Sequence, residues 1–66
     1  MERIIKKLNQ VELEIDKHIA KRDQIFDSRS SSWQSSDKGM EFMDDTEVLR
    51  EALFSIEQAK SSLEQL

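Results

Sequence analysis

Apolar residues recur at helical spacing from the first residue to Phe26. With Met1, Leu8, Ile15 and Arg22 set at heptad position a, position d holds Ile4, Val11, His18 and Ile25, and position e holds Ile5, Ile19 and Phe26. Such a stripe predicts an amphipathic helix over about residues 2–27. Its a/d/e width exceeds a two-stranded seam and predicts packing against more than one neighbour. A second stripe repeats Phe42, Leu49, Ile56 and Leu63 at a, with Ala52, Ala59 and Leu66 at d and Leu53 at e. It predicts a second helix over about residues 36–66, whose small d residues would admit another helix closely.

Between the stripes, about residues 28–35 read as a connector. Asp27, Ser28 and Ser30 compete with the backbone for local hydrogen bonds and end the first helix. Ser35 or Ser36 is the expected N-cap of the second, with Asp37 in its first turn, where negative charge is favourable. A short helix over Ser31 to Lys38, stopped by Gly39, is the alternative. On the first assignment Gly39 lies inside the helix, at a cost of about 1 kcal/mol relative to Ala.

Antiparallel pairing of the helices aligns Ile4 with Leu63, Leu8 with Ala59, Val11 with Ile56, Ile15 with Ala52, His18 with Leu49 and Ile25 with Phe42. It sets Arg22 against Asp45 and Thr46, where an exposed ion pair would contribute about 0–1 kcal/mol. It also brings Leu13 level with Phe54, the off-stripe apolar residue of each helix. The expected fold is therefore all-α: an antiparallel two-helix hairpin, forming one domain over 1–66. With Leu13 and Phe54 as the expected self-association patch, it would dimerise into a four-helix bundle.

Chain length adds to the case for association. A 66-residue monomer buries too small a fraction of its surface to be comfortably stable. With no cysteine and a single histidine, disulfide and zinc staples are not expected. No apolar run approaches the roughly 20 residues that span a bilayer. The charged start Met-Glu-Arg-Ile-Ile-Lys-Lys is unlike a signal peptide, so a cytoplasmic location is expected.

A net charge of −4, with 36% of residues charged, lacks the basic excess of a dedicated nucleic-acid binder. Lys17, Lys21 and Arg22 are accounted for near the C-terminal end of the first helix, where its dipole favours positive charge. The acidic run Glu41, Asp44, Asp45, Glu47 and Glu51 reads as a solvated face, without the spacing or glycine of a calcium loop. His18 is expected to be a boundary residue packed on a neighbour, and no base stands beside the connector serines. No catalytic, cofactor-binding or metal-binding residues are assigned, and the chain is expected to be non-enzymatic.

Trp33 is expected to plug the bundle end against Phe26 and Phe42. It could also anchor a protein partner with Arg29, Gln34 and Lys38 around it, because Trp and Arg dominate interface hot spots. The run Arg29-Ser30-x-x-Trp33-Gln34-x-Ser36-x-Lys38-Gly39, with Thr46 and Leu49 beyond it, resembles a pattern in small, uncharacterised helical proteins of bacteria and their phages. The similarity covers about Phe26 to Leu63 and implies a helical hairpin; that group has no settled activity. Where the pattern often has an aromatic and more acidic residues after the Gly, this chain has Met40, Phe42 and Met43.

The functional expectation is a small homodimeric protein–protein interaction module, suited to a phage or mobile-element accessory protein or an inhibitor acting on a host protein. The alternative is a nucleic-acid-associated regulator using Lys6, Lys7, Lys17, Lys21, Arg22 and Arg29.

Overall fold

A computed structural model describes all 66 residues. Two long helices, α1 (Glu2–Asp27) and α3 (Asp37–Glu64), flank a single helical turn, α2 (Ser31–Gln34). Arg22 meets Thr46 near the connector and Glu12 meets Lys60 towards the far end, so α1 and α3 run antiparallel. The Cα envelope is 49 × 15 × 10 Å, a flat hairpin one helix thick.

Capping explains where the elements begin. Ser30, in extended backbone, accepts from the Trp33 amide and opens α2. Ser36, also extended, accepts from the Gly39 amide at 3.2 Å and opens α3, with Asp37 in its first turn. The expected Ser36 cap thus occurs, and the connector helix is a single turn ending at Gln34 rather than one running from Ser31 to Lys38 and stopped by Gly39. Gly39 lies within α3, and its close contacts identify its role. An added Cβ would collide with the Trp33 carbonyl oxygen and sit 2.8 Å from that of Gln34. The bare backbone lets α2 rest on the first turn of α3.

The seam is narrower than the stripes. On α1 the covered residues are Ile5, Leu8, Glu12, Ile15, Ile19, Arg22, Asp23 and Phe26. On α3 they include Phe42, Thr46, Leu49, Leu53, Ile56, Lys60 and Leu63. Positions a and e therefore face the other helix, while Ile4, Val11, His18, Ile25, Ala52 and Ala59, all at d, are exposed. Two helices can cover only one edge of an a/d/e stripe, because successive residues turn about 100° and d lies about 80° from the a/e midline. Ile19, 8% exposed, is the one hydrophobic side chain that is buried.

Position b lies equally far to the other side. There Asp23 pairs with Arg50 at 2.8 Å, and Arg50 also reaches Glu47 at 2.6 Å. Glu12 and Lys60, both at e, form a less exposed ion pair on the seam. In an antiparallel pair the d edges of both helices fall on the same side. The hairpin thus has one ion-paired edge and one open apolar edge.

Candidate functional site

The connector end carries most of the side-chain hydrogen bonds and all of the aromatic contacts. Trp33 projects from α2 between the ends of the long helices, edge-on to Phe26 (ring centroids 5.9 Å apart) and to Phe42 (5.7 Å). Phe26 and Phe42 stack at 6.5 Å. All three rings are half-buried. Each edge-to-face contact adds about 0.5–1.5 kcal/mol beyond area burial, so the trio clamps the helices where they enter the connector.

Polar groups hold the clamp from both sides. The Arg22 guanidinium lies 3.9 Å from the centre of the Phe42 ring. Its Nε donates to Thr46 Oγ1 at 2.9 Å and a terminal nitrogen donates to the Phe42 carbonyl at 3.0 Å. Thr46 is completely buried, and its own hydroxyl donates a hydrogen bond to that carbonyl. Gln34 Nε2 donates to the Phe26 carbonyl at 2.9 Å, which also accepts from the Arg29 amide, and to the Arg29 carbonyl at 3.2 Å, tying α2 to the end of α1. Ser36 Oγ donates to the Trp33 carbonyl.

This geometry places the sequence-derived candidates. Arg29 lies over the indole at 4.9 Å and stays exposed. Trp33 is turned inward, Gln34 is engaged with backbone, and Lys38 is exposed without a hydrogen bond or ion pair. The surface shared with solvent is therefore Arg29, one side of Trp33 and Lys38. Leu13 and Phe54 are 61% and 62% exposed, and at heptad position f they lie beyond the ion-paired edge. Arg22 makes no ion pair with Asp45; its Nε and a terminal nitrogen bond the buried Thr46 hydroxyl and the Phe42 carbonyl instead. Nor do Lys17, Lys21 and Arg22 fall in the last turn of α1, which holds no basic residue.

No group of three or more His, Cys, Asp or Glu side chains is placed to hold a metal ion. Ser28, Ser30, Ser35 and Ser36 are occupied with helix ends, and His18 is exposed on α1 without a hydrogen bond. Arg50 has its pKa raised, first by its hydrogen bond to Glu47 and then by the charge of Asp23. No helix is long and apolar enough to cross a membrane.

The feature missed by reading each stripe alone is the open edge: Ile4 (48% exposed), Val11 (39%) and Ile25 (37%) on α1, beside Ala52 and Ala59 on α3. Val48, at the adjoining g position, is exposed too. The a/d/e width of the α1 stripe was the signal for it. No protein-family model, curated protein or solved structure matches this chain.

Proposed function

We propose that this chain is a non-enzymatic protein–protein interaction module that works by laying its open apolar edge against other helices, completing a four-helix bundle. One observation carries the reading: the d residues of both helices share one side of the hairpin and all are left exposed there. A two-helix hairpin has no third element to bury them, and an edge of this kind in water marks an association surface. Binding, rather than chemistry, is what such an edge can do. The exposed Arg29, Trp33 side and Lys38 then form a second, smaller surface at the connector, available to another protein. A role as a small phage or mobile-element accessory protein, occupying a host protein, fits a module of this size.

The reading is tested by light-scattering mass and by circular dichroism on the wild type and on a Val11→Glu, Ala59→Glu variant. Association by the wild type, lost in a variant that remains helical, is the expected result. A variant that associates as the wild type does would overturn it. Salt-sensitive retention on DNA or RNA, abolished by Lys17→Glu and Lys21→Glu, would instead favour a nucleic-acid role.

A further inference from the structure

Resting on that reading, we infer that the occupant of the open edge is a second copy of the chain, related by a two-fold axis parallel to the helices, with both connectors at the same end. The exposed area supports a partner of this size. The hairpin exposes 5266 Å², whereas a folded monomer of 7.8 kDa is expected to expose about 4,400 Å². The excess, about 900 Å², is close to the roughly 800 Å² that each partner contributes to a standard interface.

Charge decides the arrangement. Two flat hairpins stacked by their open edges have two ways to overlap fully. With the axis perpendicular to the helices, α1 lies antiparallel on α1. The residues bordering the d line then meet their own kind: Lys7 faces Lys21 of the second copy, and Glu14 faces Glu14. Like charges at such bordering positions oppose assembly.

With the axis parallel to the helices, α1 of each copy lies on α3 of the other. The rotation leaves every residue at its own level, so α1 meets the second α3 at the level where it meets its own. Averaging the Arg22–Thr46 and Glu12–Lys60 levels then sets Ile4 by Leu66, Val11 over Ala59 and His18 over Ala52. Val11 and His18 thus fall on small alanines, and Ile25 falls level with Asp45 at the connector end. Along the border Lys7 faces Ser62, Glu14 faces Ser55, and Lys21 comes within a turn of the exposed Asp45, which has no ion-pair partner within its own hairpin. No like charges meet. The two Arg29–Trp33 stacks are then side by side at one end of the bundle, a paired surface that a single hairpin lacks.

The absence of cysteine makes a direct test available. Ser32→Cys places a spin label on α2, at an exposed residue that makes no hydrogen bond. The label–label distance, measured by pulsed dipolar spectroscopy, is expected below about 30 Å, a few helix diameters. A dimer with labels separated by nearly the 49 Å hairpin length would overturn the parallel axis while leaving the open-edge reading intact. A wild type that stays at 7.8 kDa would overturn the second copy as occupant. The controls are Val11→Glu, Ala59→Glu on the open edge and Leu13→Glu, Phe54→Glu beyond the ion pairs. The first is expected to halve the mass and the second to leave it unchanged. If the second halves it and the first does not, the interface lies on the other side, and the reading under Proposed function fails with it.

Discussion

Arg22 donates from Nε to Thr46 Oγ1 at 2.9 Å, and this hydrogen bond joins the two long helices through the one fully buried side chain of the hairpin. Thr46→Val keeps the shape but removes the acceptor, leaving a partly buried guanidinium donor unsatisfied. A loss of about 1–3 kcal/mol is expected, against a smaller loss for Thr46→Ser, which keeps the hydroxyl. Urea denaturation of the two variants checks the order, and a larger loss for Thr46→Ser than for Thr46→Val would show that the methyl group, not the hydroxyl, matters.

Gly39→Ala reverses the usual helix rule. In an exposed helix interior, Ala would stabilise by about 1 kcal/mol. Here its Cβ meets the carbonyls of Trp33 and Gln34, backbone that yields only if α2 moves. A net loss of about 1–3 kcal/mol is expected, as for overpacking elsewhere. A raised melting temperature would refute this account of the glycine.

Trp33→Ala removes two edge-to-face contacts and the platform under Arg29. Destabilisation of about 2–3 kcal/mol is expected, and Trp33→Phe should recover part of it by keeping a ring between Phe26 and Phe42. Loss of partner capture in Trp33→Phe, at unchanged stability, would assign the indole a binding role as well. Because Trp33 is the sole tryptophan, its fluorescence reports the clamp directly.

The two cross-helix ion pairs are expected to behave differently. Glu12 and Lys60 are 16% and 20% exposed, so Glu12→Gln loses a charge-assisted bond on the seam, about 1–3 kcal/mol. Asp23 and Arg50 are about 40% exposed, and Asp23→Asn should leave the midpoint unchanged at high salt. Denaturation at low and high salt separates the two. A salt-dependent loss confined to Glu12→Gln would contradict the assignment.

The pairing of two amphipathic helices was legible because both stripes repeat at heptad spacing and align when the chain folds back. The Ser36 cap was legible from Ser-Asp ahead of an apolar period, and the Trp33 plug from its place between Phe26 and Phe42. The rotation of the helices was not, since a stripe spanning a, d and e fits a partner centred on either side of a. Arg22 and Thr46 settle it by drawing the a/e side inward, a preference no hydrophobic pattern carries. Gly39 read as a tolerated cost because the α2 carbonyls that need its bare backbone come from a turn the connector only weakly announces. The width of the α1 stripe implied a second neighbour, but the expected patch fell on Leu13 and Phe54 because the rotation that leaves the d edge open was not legible.

The aromatic clamp also orders events in time. Phe26 and Phe42 are close in sequence, whereas Glu12 and Lys60 are 48 residues apart, and closing the longer loop from an open chain costs about 1 kcal/mol more. The connector is therefore the natural nucleus, from which the helices zip towards the chain ends. In reverse, the hairpin frays from Ile4 and Leu63 inward, and amide exchange slows steadily towards Thr46.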